Sequence, residues 1–221
     1  MEKAILNALA ELRKNKERKF DQTVDLIINL QKFDARKNQI NLFITTPYKI
    51  KDKKIGAFLE SKSTHIDTIT KDEFKKYANK KEAKRLVKKY DFFIAQSTLM
   101  PSVATTFGRV LGPSGKMPSP QLGIILNTDE KTIREIKEKI NNSLKIKTKE
   151  SSIKLSIGKQ SMPDKELAEN IMTVYSTVLK NLPKEKDNVK NIEIKFTMTK
   201  PQKLDIKWTT IKKFLQKRKK L

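Results

Sequence analysis

Apolar residues recur along the chain at two periods, and the switches between them mark out its elements. Residues 3–12 (KAILNALAEL) set Ala4, Ile5, Ala8, Leu9 and Leu12 at helical spacing. Thr23 to Leu30 (TVDLIINL) alternates instead, with Val24, Leu26 and Ile28 on one face, and predicts a strand. Ile40 to Thr46 is apolar and β-branched up to Pro47, which has no N–H for a ladder, and reads as the partner of that strand. Lys54–Leu59 and Phe92–Ala95 are short buried-strand candidates. Between them, Asp72–Lys89 is a Lys-rich amphipathic helix or pair of helices carrying Phe74, Tyr77, Leu86 and Val87. Ser97–Val110 predicts a helix, Gly112–Pro120 a Gly- and Pro-rich loop, and Asp129–Asn142 a helix with the stripe Ile133, Ile136, Ile140. Strands follow at Leu144–Lys147 and Ser152–Ile157, then a long helix over Asp164–Leu182 with Asp164 as N-cap and Pro183 beyond its end. Asn191–Met198 (NIEIKFTM) alternates again, Ile192, Ile194 and Phe196 facing one way and Glu193, Lys195 and Thr197 the other.

The middle of the chain thus alternates strand and helix, the pattern of a parallel α/β layer. The flanks carry paired strands with a helix on each side, which suits an α+β sandwich.

Composition adds a partner class. Among 221 residues, 49 are Lys or Arg and 25 are Asp or Glu, a net charge of +24. Such an excess repels itself unless a polyanion neutralises it, so nucleic acid or an anionic membrane surface is implied. Cysteine is absent, which excludes disulfides, thiolate metal sites and thiol nucleophiles. A single histidine, His65, excludes multi-histidine metal centres and reads as a surface or capping residue. No apolar run is long enough to span a bilayer, and the N-terminus lacks the apolar core of a secretory signal. No cofactor or metal, and no enzymatic activity, is expected.

Four stretches could carry chemistry. Gly108–Pro120 (GRVLGPSGKMPSP) fails as a phosphate-gripping P-loop, because Val110 and Met117 stand where Gly and Ser/Thr are required. Its composition favours a rigid surface loop over an RNA- or protein-contacting one. Arg18-Lys19-Phe20, ahead of a strand, could clamp RNA; a core Phe beside solvated charge is the blander reading, and these residues alone favour it. Thr197-Met198-Thr199-Lys200-Pro201 closes the last strand with hydroxyls able to bond ribose or phosphate. The tail from Ile206 to Leu221 is strongly basic and suits a phosphate-binding arm, a membrane-surface helix or a solvated end.

In order along the chain, KFDQTVDL at 19–26, KKYDFFIA at 88–95, the GRVLGPSGKMPSP loop, IGKQSM at 157–162 and TMTKPQ at 197–202 resemble one family. It is the universal large-subunit ribosomal protein one family, which carries the lateral mobile stalk, and the match looks archaeal or eukaryotic. Two departures stand out: Ser114 where the family commonly has Arg, and Thr199 where it has Gly. The resemblance implies two domains. A discontinuous RNA-binding α+β sandwich is formed by both chain ends (1–50 and 145–221), and a Rossmann-like α/β domain (51–144) is inserted into it. It implies direct binding of large-subunit rRNA, a link to release of deacylated tRNA from the exit site, and repression of the protein's own mRNA. A cytoplasmic, ribosome-bound protein, monomeric when free and without membrane partners, follows. Carried over by position, the RNA surface is Lys19, Phe20, Thr23, Asp25, Gly158, Lys159, Ser161, Thr197, Met198 and Lys200. Gly112, Gly115, Lys116 and Pro118 mark a second-domain loop on the tRNA-facing side. The rival readings are a nucleotide-binding α/β enzyme using the Gly112–Lys116 loop and a membrane-surface protein using the basic tail.

Overall fold

The computed structural model describes residues 1–204 except 17, 127 and 149; the basic tail lies outside the described residues. The elements are α1 (Glu2–Arg13), β1 (Thr23–Leu30), β2 (Asn41–Thr45), β3 (Ile55–Phe58), β4 (Asp67–Ile69), a 3-10 stretch (Lys71–Ala78) and α2 (Lys80–Lys89). Then come β5 (Phe92–Gln96), α3 (Met100–Ser114), β6 (Ile124–Ile125), α4 (Glu130–Asn141) and β7 (Ser143–Lys147). The chain closes with β8 (Ser152–Lys159), α5 (Asp164–Asn181), β9 (Val189–Phe196) and β10 (Gln202–Lys203). The described residues gather into two compact units, Met1–Lys51 with Asn142–Leu204, and Asp52–Asn141.

The split unit is built on an antiparallel sheet in the order β10-β9-β1-β8. Alternation decides which face is buried: Leu26 lies between Leu155 and Ile194, with Ile28 between Ile153 and Ile192. These side chains pack with Ile5 and Leu9 of α1 and Leu167, Ile171, Val174 and Val178 of α5 in one core. Each fully buried Leu or Ile contributes roughly 1.5–3 kcal/mol. The opposite face of β1 presents Thr23, Asp25, Ile27 and Asn29.

β2 does not pair with β1. Both flanks of β1 are taken by longer strands, and β2 instead forms a two-stranded antiparallel ribbon with β7, Thr45 opposite Ser143. The Thr46 N–H donates to the Asn142 carbonyl at 2.7 Å, so the outgoing and returning chains are tied side by side. The long helix also starts differently from expectation. Pro163 occupies the cap position and Asp164 is the first helical residue, with no side-chain cap. Its carboxylate is drawn away by Arg13, whose Nε and Nη2 donate to Asp164 Oδ1 at 2.9 and 2.6 Å, joining α1's end to α5's start.

The inserted unit is a parallel sheet in the order β4-β3-β5-β6. β3 is buried at every residue, as a strand covered on both faces must be. One apolar layer joins Phe58, Phe74, Phe93 and Phe107, with Phe58 and Phe93 stacked at 5.4 Å. The other joins Ile55, Ala57 and Ile94 with Ile133 and Ile140 of α4.

The predicted Gly112–Pro120 loop is shorter than its composition suggests. α3 runs through Gly112 and Pro113 to Ser114, because Val103, Phe107 and Leu111 anchor its buried face and the Ser114 hydroxyl donates to the Val110 and Leu111 carbonyls. The turn comes at Gly115, whose φ of +69° is the left-handed conformation that glycine adopts without strain. Lys116 then reaches back, its Nζ donating to the Val87 and Tyr90 carbonyls at 2.8 and 2.7 Å and closing the C-terminal end of α2. Pro118 is buried. Lys116→Met should therefore destabilise the inserted unit by roughly 1.5–3 kcal/mol, the range for hydrogen bonds to a charged group, which thermal or denaturant unfolding would register. Unchanged stability would show that water serves those carbonyls equally well.

Candidate nucleic-acid interface

Three segments distant in sequence meet where β1 begins. Backbone pairing brings Thr23 opposite Lys159, and the Thr197 N–H donates to the Thr23 carbonyl at 3.1 Å. The Thr197 side chain returns the contact: its Oγ1 accepts the Thr23 N–H at 3.1 Å. β9 therefore ends at Phe196, and Thr197 and Met198 stand in the turn beyond it rather than in the strand.

That turn is closed by Thr199, at the position where the resemblance implies glycine. Thr199 Oγ1 accepts the Phe196 N–H at 2.9 Å. The only described non-glycine residues with positive φ are Lys32 and Glu185. Thr199 thus occupies ordinary backbone space, and its hydroxyl supplies a bond that glycine lacks.

Polar side chains hold the remaining segments in register. Gln22, 2% exposed, accepts the Met198 N–H through Oε1 at 3.1 Å, while its Nε2 donates to Gln160 Oε1. Asp21 accepts from the Ser161 backbone at 3.1 Å and from the Ser161 hydroxyl at 2.9 Å, with Lys159 Nζ at 3.4 Å. Desolvation opposes ionisation of Asp21, but hydrogen bonds from Ser161 and Lys159 outweigh it and hold the carboxyl below its ordinary value. Its contribution is present above the usual carboxylate range and is lost as pH falls through the lowered value.

The core reading of Phe20 is overturned. Phe20 is 53% exposed and Met198 59%; Leu126 is the other large apolar side chain so exposed among the described residues. Phe20 lines a cleft of about 500 Å³ with Arg13, Arg18, Lys19, Asp21, Gln160 and Ser161. Met198 lines another of about 610 Å³ with Thr199, Lys200, Gln202 and, around the end of α1, Glu11, Leu12, Lys14 and Asn15. Cationic, aromatic and thioether groups thus border a set of locked backbone turns, a combination that fits a phosphate chain carrying unstacked bases.

Two expected residues take other places. Gly158 is buried beside a bulge between β8 and β1, where a Cβ would lie 2.6 Å from Leu167 and 2.7 Å from Met162. Its missing side chain admits core packing, and the bulge returns Lys159 to the outer face. Asp25 lies further along that face, opposite Ser156 and Lys195. Burial pushes its pKa up and the Lys195 ammonium opposes the shift. Residue-by-residue reading missed Arg13, Asp21, Gln22 and Gln160; the last three lie inside the quoted motifs, the available signal.

Gly112, Gly115, Lys116 and Pro118 belong to the inserted unit, and the Lys116 ammonium is occupied by helix carbonyls. His65 is half-buried there, with Nε2 3.1 Å from Arg134 and 3.3 Å from Glu130. Among the described residues no cluster of three acidic or histidine side chains could hold a metal, and no helix is long and apolar enough to cross a membrane.

Residues 12–200 match the model of the ribosomal protein L1p/L10e family. The chain belongs to that family. Among relatives, the large ribosomal subunit protein uL1 of Nanoarchaeum equitans is 33% identical over 204 residues, covering 87% of this chain and 95% of that one. That of Thermofilum pendens is 36% identical over 217 residues, covering 92% of each. That of Thermococcus kodakarensis is 34% identical over 194 residues, covering 83% and 88%. The L1p/L10e family consists of structural ribosomal proteins, so the nucleotide-enzyme reading of the Gly112–Lys116 loop falls.

Proposed function

We propose that this protein is a structural component of the large-subunit stalk that binds large-subunit rRNA directly through the split unit. It works in the cytoplasm on the ribosome, takes part in releasing deacylated tRNA from the exit site, and represses its own mRNA through an RNA site resembling the ribosomal one. Free of the ribosome it is a monomer. The observation that carries this reading is the pair of exposed side chains, Phe20 and Met198, beside turns locked by Gln22, Asp21 and Thr197. A folded protein gains nothing by exposing such groups at a rigid, cationic rim; an RNA does, since one stacked base is worth roughly 1–3 kcal/mol.

The test is a binding titration with a stem-and-bulge fragment of large-subunit rRNA and with the leader of the protein's own mRNA. Phe20→Ala and Met198→Ala should each weaken both RNAs by roughly tenfold, the lower end of that stacking range. Equal affinity of the unaltered protein for these RNAs and for a random stem would sink the proposal.

A further inference from the structure

The inserted unit carries a cationic surface of a different kind. Nine basic and three acidic residues lie between Lys71 and Lys89. In α2, Ala83, Leu86 and Val87 are buried while the basic side chains face solvent in two rows four residues apart. One row is partly neutralised, with Arg85 on Glu82 at 2.7 Å and Lys89 on Asp67 at 3.3 Å. The other, Lys80–Lys84–Lys88, has no carboxylate partner among the described residues.

Folding does not account for this arrangement. Like charges four residues apart on a helix repel. Lys80 lies at the helix N-terminus, where the macrodipole disfavours a cation, and Lys116 already serves carbonyls at the C-terminal end. Successive members of the row rise by about 6 Å, an extended line of charge suited to a phosphate backbone. A membrane surface fits less well, because the apolar side of α2 is buried in the core and leaves nothing to insert.

We propose that the Lys80–Lys84–Lys88 row is a second RNA contact, gripping backbone phosphates without regard to sequence. It rests on the protein being an rRNA binder but not on which residues of the split unit read the RNA. The test uses the full chain with Lys80, Lys84 and Lys88 all changed to Gln, titrated with random-sequence duplex RNA across a salt series. Loss of three phosphate contacts on a duplex should make the slope of log K against log salt shallower by about 3 and weaken low-salt binding by roughly tenfold. The melting temperature should not fall, since repulsion within α2 is relieved. Preference for the rRNA fragment over a non-cognate stem should persist. An unchanged slope would overturn the proposal, as would loss of binding to phosphatidylserine vesicles with RNA binding intact. If the slope shifts while Phe20→Ala and Met198→Ala leave discrimination untouched, the α2 contact stands and the reading of the split-unit surface fails.

Discussion

Thr197→Ala should weaken binding of the rRNA stem-and-bulge fragment by one to two orders of magnitude, while Thr197→Ser stays near the unaltered protein. The structure gives the hydroxyl a specific task. Thr197 Oγ1 accepts the Thr23 N–H, and the Thr197 N–H donates back to the Thr23 carbonyl. In the free protein, alanine leaves the Thr23 N–H to water, so stability changes little at this exposed turn. Under bound RNA water is excluded, and an unpaired donor costs roughly 1–3 kcal/mol. Because no charge is removed, the salt dependence should be unaltered, which separates this variant from any lysine substitution. Serine retains the acceptor and so tests the hydroxyl itself. Equal affinities for the threonine, serine and alanine proteins would place RNA reading elsewhere.

The sequence exposes most clearly those elements with one buried face. β1, and β9 from Asn191 onward, alternate because their even-numbered residues enter a core, and the stripe of α4 repeats for the same reason. Pairing between distant strands leaves no such trace. β2 carries nothing to indicate that its partner lies about a hundred residues onward in β7, since that pairing depends on an entire unit being inserted between them. The Phe20 error has a similar origin. Continuing the inward positions of β1 backward places Gln22 inside, where it is, and Phe20 inside, where it is not, because the strand begins only at Thr23. Composition misjudged Gly112 and Pro113 as well: both are breakers by propensity, yet tertiary anchoring by Phe107 and Leu111 carries α3 past them. At the candidate interface, motif likeness singled out Thr23, Ser161 and Thr197, which the fold brings near one another. The supporting roles of Asp21, Gln22 and Gln160 require the three segments to be seen together.

The largest loss of stability in the split unit should follow from Asn170, which sits in α5 amid NIMTVYSTV and resembles an incidental polar residue in the sequence. It is fully buried. Its Oδ1 accepts the Tyr48 N–H at 3.1 Å, and its Nδ2 donates to the Tyr48 carbonyl at 3.2 Å and the Ile157 carbonyl at 3.3 Å. One side chain therefore satisfies the chain leaving β2 and the bulged part of β8 that leads to Lys159. Leucine preserves the volume but strands the Tyr48 N–H and the Ile157 carbonyl, at about 1–3 kcal/mol for each one left dry, while the Tyr48 carbonyl keeps the Thr46 hydroxyl at 2.9 Å. Asn170→Leu should cost about 3–5 kcal/mol in all, at the exceptional end for a single substitution. The split unit's melting temperature should then fall by roughly 10–15 °C. Asn170→Asp keeps the acceptor but loses both donors, so it too should be destabilised. RNA affinity of Asn170→Leu, measured below its melting transition, should also fall, since the Ile157 carbonyl adjoins Gly158 and the segment that presents Lys159 and Ser161. A melting temperature within a few degrees of the unaltered protein would mean that water or a repacked Tyr48 replaces the amide, and the site's rigidity would need another source.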